Sequence, residues 1–343
     1  MGVFQPSTGM PGIGTEKLAK HRVTSADGWL TMLPGGGVAD GTKMRDPDNP
    51  DYTADGAAAQ RRLRGGLLIG QASGLWANSV IGVTNGALTS AGTTLTLASA
   101  QQGAELLRRV GATGTCKVTG PPTAAGTVRT LTATYSAIAS TSVTITALGV
   151  NEVQTVSVDT IVSGGSVNLL ATHSDGSQSN IEVAYNTSWT QTVADIQTAL
   201  NAFLGASAVA CAVTATKNMT VTFSGTGYAA LPQTLLAADF SAATGPTTVR
   251  VTRTTAGVDG RFVTGSLVQP TDGSETPMSF LPGGWEMIVP EDSGNLPLDR
   301  IPIEGSVDFS QVLLPWPADA SLKQWVRDSL RTAGGRFTDV SGY

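Results

Sequence analysis

Apolar and polar residues alternate with period two in short runs of 7 to 11 residues along much of the chain after residue 90, bounded by turn-forming residues. The segments TTLTLAS, TCKVTGPP, VRTLTATYSAI and SVTITAL read this way. In the first of them Leu95 and Leu97 alternate with Thr94 and Thr96, as a half-buried strand requires. EVQTVSV, SVNLLATH, NIEVAYN, ACAVTAT, MTVTFSG and TTVRVTRT continue the pattern between residues 151 and 260. Three segments change to a helical period. AQQGAELLRRVGATG puts Leu106, Leu107 and Val110 on one face with Gly111 placed to stop it. SWTQTVADIQTALNAFLG carries Val193, Ile196, Leu200 and Phe203 on one face. Ser188 and Gln191 have the spacing of a capping box there, and Gly205 follows as the stop. DASLKQWVRDSLRTAGG aligns Leu322, Trp325, Val326 and Leu330, with Asp319 or Ser321 as cap and Gly334 as stop. The pattern predicts a mainly β fold with few helices.

The texture also divides the chain. Residues 1–60 hold no sustained period and are broken by Pro6, Pro11, the run Pro34-Gly35-Gly36-Gly37, Pro47 and Pro50. Their apolar residues Phe4, Ile13, Trp29, Leu30, Met32 and Leu33 are too few to bury one another. The expectation is an extended N-terminal arm that lays these anchors on another surface. Residues 61–150 and 261–343 form a β-rich body ending in the third helix. Residues 151–260 read as a small α+β domain, one helix on an antiparallel sheet of five or six strands, able to fold by itself.

At 343 residues the length suits two or three domains. Charged residues make up only 14% of the chain, with 41 Gly and 46 Thr in their place, and the regular β-branched runs favour ordered sheet over disorder. Against a net charge of -5, nucleic acid is an unexpected partner. The charge is uneven: 12 basic and 8 acidic residues up to position 150, then 9 and 18. No run reaches the ~18 apolar residues of a membrane span, and MGVFQPSTGM has neither the basic start nor the apolar stretch of a secretion signal. The expectation is a soluble protein, without a membrane partner, made in a cytoplasm.

Catalytic chemistry is hard to assemble from this sequence. His21 and His173 are the only histidines, and THSDGS around His173 imitates triad residue types in a turn whose adjacent side chains cannot aim at one another. GGGVADGTK, residues 35–43, has the glycine spacing of a phosphate loop at Gly36 and Gly41, but Thr42 and Lys43 stand in the wrong order. Asp46, Asp48 and Asp51 suggest a cation loop, yet Pro50 and Asp51 occupy the positions where its turn is made. Cys116 and Cys211 read as small core residues. The expectation is a protein that is not an enzyme and carries no cofactor.

Four pieces of the chain are familiar together. RRLRGGLLIGQASGLWANSVIGV, then ELLRRVGATGTCKVTGPPTAAGTVRTLTATYSAI, and later GSLVQPTDGSETP and LLPWPADASLKQWVRD, resemble the head decoration proteins of tailed bacteriophages. The most specific pieces are QPTDGSETP, Gln269 to Pro277, and LLPWP, Leu313 to Pro317. The resemblance implies a decoration-protein-like body of the lambda type and a homotrimer on the exterior of the expanded head. Its partner would be the major capsid protein, and Phe4, Ile13, Trp29, Leu30, Met32 and Leu33 would be the capsid-contact candidates. In simpler relatives VTITAL runs almost directly into FVTGSLVQPTDG, so residues 151–260 look like an insertion, with a surface ligand of its own as an open possibility. Two other readings remain at this point. One is a glycan- or host-surface-binding virion module, with Tyr185 and Trp189 as its aromatic candidates; the other is a tail tube or fibre subunit.

Overall fold

The computed structural model describes residues 30–47, 60–121, 127–282, 286–290, 294–298, 300–309 and 319–339. The protein is mainly β, and three α-helices occur among the described residues: α1 (Ala100–Val110), α2 (Trp189–Leu204) and α3 (Ala320–Thr332). All three lie where the helical period placed them. Each starts on a side-chain cap: the Ser99 hydroxyl accepts from the Gln102 amide, Ser188 from Gln191, and Asp319 from Ser321 and Leu322. At α2 the reciprocal half of the capping box is not made, because the Gln191 side chain turns outward to Asp195 at 3.3 Å.

Two compact units divide the chain. The larger comprises Met1–Ala87, Thr94–Thr146 and Phe262–Tyr343; the smaller comprises Leu88–Thr93 and Ala147–Arg261.

In the larger unit a six-stranded antiparallel sheet runs in the order Gly82–Val83, Leu267–Gln269, Gly114–Gly120, Arg129–Ala139, Ser142–Ile145, Thr94–Thr96. The stretch after residue 262 thus returns to the sheet built by residues 82–145. A five-stranded sheet places Gly37–Asp40 between Leu75–Asn78 and Asn295–Leu298, and a third sheet pairs Leu30–Met32 with Pro302–Val307. These pairings correct the expectation of an arm over residues 1–60 wherever that range is described. Ala39 and Met44 are fully buried, in a cluster with Leu63, Ile69, Trp76 and Ile301. Pro34-Gly35-Gly36 is the turn between the two strands: the Gly36 amide donates to the Leu33 carbonyl at 2.9 Å, with Gly35 and Gly36 at φ +79° and +65°. Apart from Trp76, opposite Ala39, the strand partners lie about 255–275 positions downstream, which is why the local pattern looked coreless. A second cluster forms where Leu322, Val326 and Leu330 of α3 pack on Leu68, Val83, Leu267 and Phe280.

The smaller unit departs from the single five- or six-stranded sheet. Its strands form two antiparallel sheets. One has the order Val209–Ala215, Asn218–Phe223, Val153–Val158, Val249–Thr255; in the other Gly164–Thr172 pairs with Gln178–Ala184, Ala237–Asp239 and Ala243–Thr244. Alternate residues of both sheets, among them Val156, Val221, Val167, Leu169 and Ile181, meet Val193, Ile196 and Leu200 of α2 in one core. Every residue of that core lies between 156 and 251. Sheet alternation alone does not say which strands share a sheet, so the sequence pattern was compatible with either arrangement.

The two ends of this unit are fastened together. Val150 and Val258 exchange both backbone hydrogen bonds, at 3.0 and 2.9 Å, and a Cβ added to Gly260 would stand 2.2 Å from the Gly149 nitrogen. Just inside, the fully buried Glu152 carboxylate accepts from the Gln154 side chain (2.7 Å), Arg253 Nε (3.0 Å) and the amides of Gln233 and Gly257. Burial by itself would raise the Glu152 pKa, but these donors outweigh it and hold the group below the usual carboxylate range.

A core confined to residues 156–251 and closed ends predict that a fragment spanning 147–261 folds alone. It should unfold in a single cooperative thermal transition, and the chain with Val150–Asp259 replaced by a short Gly-Ser link should keep a second, independent transition. A fragment without near-ultraviolet circular dichroism would contradict this.

Candidate functional site: a polar lock around Arg109

One group of charged side chains of the larger unit, with Arg327 paired to Asp339 and Arg331 to Asp328, lies along α3; another converges at the end of α1. The helix closes at Gly111, whose amide donates to the Leu107 carbonyl at 2.8 Å in a conformation with φ +105°. That stop leaves Arg108 and Arg109 in its last turn. The Arg109 side chain is 1% exposed. Its guanidinium donates to the Lys43 carbonyl (3.0 Å), the Asn78 carbonyl (3.0 Å), Asp272 Oδ2 (3.2 Å from Nη2 and 3.3 Å from Nε) and Ser274 Oγ (2.8 Å). A buried guanidinium is tolerated only when its donors are met by acceptors, and here the acceptors come from three distant stretches of chain.

The QPTDGSETP segment is the principal one. Asp272 Oδ1 accepts from the Ser274 amide (3.1 Å) and hydroxyl (2.6 Å), which shapes the turn and aims Oδ2 at Arg109. Glu275 pairs with Lys117 and accepts from the Gly273 amide at 2.8 Å. The buried Gln269 side chain accepts from Thr119 Oγ1 at 2.6 Å and donates to the Glu275 carbonyl. Strand Leu68–Ala72 lies directly beneath: a Cβ on Gly70 would stand 2.1 Å from the Ser274 carbonyl oxygen and 2.5 Å from that of Thr276. Gly70 is there because the loop backbone rests on it.

Residues 40–45 are the other half. Lys43 Nζ lies 3.4 Å from Asp272 and 3.6 Å from Asp40, and Asp40 folds back on the Thr42 amide at 3.1 Å to start the short 3-10 helix Gly41–Lys43. Arg108 is fixed to the buried Glu105 and reaches the Thr42 carbonyl, while Arg45 approaches the same Glu105 at 3.7 Å. For Asp272, burial would raise the pKa; Arg109, Ser274 and Lys43 override it and bring it down to about 2. The lock therefore stays ionised across the neutral range. Its donors are committed to groups of the chain itself, and what it does chemically is hold the 40–45 segment and the 269–277 loop on one frame.

The other sequence candidates are dispersed. Leu30 packs on the cluster of α3, Leu33 packs on the cluster around Trp76, and Met32 is half-buried. Leu30 and Leu33 are thus partly buried against the chain's own core. Phe4, Ile13 and Trp29 lie outside the described residues, as do Asp48 and Asp51. Asp46 is buried, and no cluster of three or more metal-ligating side chains occurs among the described residues. His173 to Gly176 is a turn in the smaller unit, with the Gly176 amide on the His173 carbonyl at 2.9 Å. Trp189 is 5% exposed, edge-on to Phe240 at 6.4 Å, and Tyr185 packs on the same core, so neither offers an open aromatic platform. Burial pushes the Cys116 and Cys211 thiols up to about 12, and neither is a thiolate at neutral pH.

Arg109 and Asp272 were not singled out from the sequence as a site. The signal that pointed to them was indirect: the two stretches that contain them carry the phage resemblance. Compared with known proteins, the chain matches no family model and no curated protein.

Replacing Arg109 by Ala should cost roughly 3–5 kcal/mol, because it strands buried acceptors and the Asp272 charge, and should lower the melting temperature of the larger unit only. Gly70→Ala should cost about 1–3 kcal/mol through overpacking against the loop backbone, as read by denaturant unfolding. The Asp272 carboxylate has a lowered folded-state pKa, so its contribution is present above its unfolded pKa near 3.9 and lost as pH falls through about 2. Acid titration of the melting temperature should thus fall steeply between about pH 4 and pH 2, and less so in Asp272→Asn.

Proposed function

We propose that this chain is a head decoration protein of a tailed bacteriophage, which binds the exterior of the expanded shell as a homotrimer and stabilises it without catalysing a reaction. The observation that carries the reading is the meeting of ELLRRVGATG and QPTDGSETP in one lock. The pieces that resemble the decoration family are about 160 positions apart, and Arg109, Asp272, Ser274 and Gly70 give them a common structural purpose. A protein whose work is mechanical needs this kind of rigidity, and the ionisable groups of this lock are committed to internal ties. The partner in this reading is the major capsid protein. Neither nucleic acid nor a membrane is engaged, and no described helix is long and apolar enough to cross a bilayer. The protein is made in the bacterial cytoplasm and ends on the virion.

The remaining contact candidates, Phe4, Ile13 and Trp29, precede Leu30, and through this segment the chain reaches beyond its own core when it joins the assembled shell. The test is co-sedimentation with expanded heads. The full chain should pellet with heads and raise their resistance to heat or chelation, while a chain lacking residues 1–29 should stay folded and lose at least tenfold in occupancy. Full-length protein that ignores heads altogether, or decorates tails instead, would refute the reading.

A further inference from the structure

The first and last strands of the six-stranded sheet meet. Thr84 forms a bridge with Leu97, the Ala98 amide donates to the Val83 carbonyl at 3.0 Å, and the Asn85 amide donates to the Thr96 carbonyl at 2.7 Å. These contacts fasten the two ends of the sheet along a seam. Asn85 makes one rung of that seam, and the chain leaves it through Gly86.

Thr84 is 2% exposed and Leu88 4%, but the Asn85-Gly86 pair between them is exposed. Among the described residues neither the Asn85 carboxamide nor the Gly86 N–H has a hydrogen-bond partner. Gly86 stands at φ +119°, and a Cβ added to it would meet nothing within 4 Å. An electrophilic side-chain carbon and the free nitrogen of the next residue thus share one open turn. The other asparagines do not combine these features. Asn78 is buried and donates to the Arg45 carbonyl, Asn186 donates to Asp195 at 2.8 Å, and Asn201 is held at both ends by Val209. Asn85 alone is followed by glycine, so every other described asparagine precedes a residue whose side chain crowds the nitrogen.

We propose that Asn85 is a site of spontaneous modification, converted by water into aspartate and isoaspartate. The Gly86 nitrogen gives its proton to solvent base and attacks Asn85 Cγ. The new C–N bond forms as the Cγ–Nδ2 bond breaks, and ammonia leaves with a proton from water. Intramolecular attack needs only that the two atoms can approach, and no neighbour restrains either of them. Water then opens the five-membered imide. Cleavage at Cγ restores the ordinary backbone with aspartate; cleavage at the main-chain carbonyl leaves Gly86 attached through the former side chain, as isoaspartate. One water is consumed, one ammonia is released, and nothing is oxidised or reduced. Both products place a negative charge at the seam. Isoaspartate also adds one backbone bond, ~1.5 Å, between the Asn85 rung and buried Leu88.

Ageing of the full chain tests the proposal. The protein is held in mildly alkaline buffer at physiological temperature, and samples are digested and mapped by mass. The amide-to-acid mass increase should appear at residue 85 at least tenfold sooner than at any other asparagine, at a rate proportional to hydroxide. Isoaspartyl methyltransferase with labelled S-adenosylmethionine, a probe specific for isoaspartate, should mark the same peptide. Asn85→Gln, which has only a six-membered ring to close, should lose the label and keep the melting temperature of the fresh unsubstituted chain. The chain unfolded in guanidinium chloride gives the rate without a fold, and the folded chain should convert within tenfold of it. A residue 85 that stays an amide in the folded chain while the unfolded chain converts would overturn the site. Equal conversion at another asparagine of the folded chain would do the same.

Discussion

The larger unit depends on a buried positive charge. Arg109 sits at the end of a helix where solvent cannot reach it, and a guanidinium in that position is unfavourable unless its donors find acceptors of fixed geometry. The carbonyls of Lys43 and Asn78, the Asp272 carboxylate and the Ser274 hydroxyl provide them. They belong to three stretches far apart in sequence, around residues 43, 78 and 272–274. The requirement ties the three stretches into one arrangement, because moving any of them leaves a donor of the buried guanidinium unmet. Hydrophobic burial favours compactness without dictating one geometry; the directional bonds of Arg109 select among the compact alternatives.

The smaller unit solves a related problem with the opposite charge. Glu152 is fully buried and gathers Gln154, Arg253 and two backbone amides from the 233–257 stretch. Gln154 in turn accepts from the Leu236 amide at 2.8 Å, so a connection with little regular structure is pinned to the strand that starts the unit. In both units a single ionised side chain near an element's end organises irregular backbone that period-two patterning cannot specify.

The legible part of this sequence was its local periodicity. Helices α1, α2 and α3 follow from spacing, and the caps Ser188 and Asp319, the latter one of two candidates, from the preference of short oxygen-bearing side chains for helix starts, while Ser99 was not singled out. The alternating strands of both units follow in the same way. What was hidden is long-range. Residues 30–47 look like a coreless tail because Leu33, Ala39 and Met44 find their neighbours at Leu63, Trp76 and Ile301, and nothing within the segment records those partners. The lock was hidden for the same reason: an Arg-Arg pair at a helix end and an Asp-Gly-Ser turn are each ordinary, and their meaning lies in being 3.2 Å apart.

The fastened ends at Gly149 and Gly260 bear on how the chain would carry tension. A pull transmitted along the backbone arrives at residue 149 and leaves at residue 260 across a gap of atomic contact, so the load falls first on the Val150–Val258 pair and bypasses the strands and helix between them. While that pair holds, the smaller unit adds almost no length to the chain. Once it opens and the unit unravels, about 110 residues at ~3.4 Å each become available, a slack of roughly 370 Å. The same short contact that keeps the unit out of the force path also makes it a reserve of extension, released only when that pair and then the ladder between Val153–Val158 and Val249–Thr255 give way.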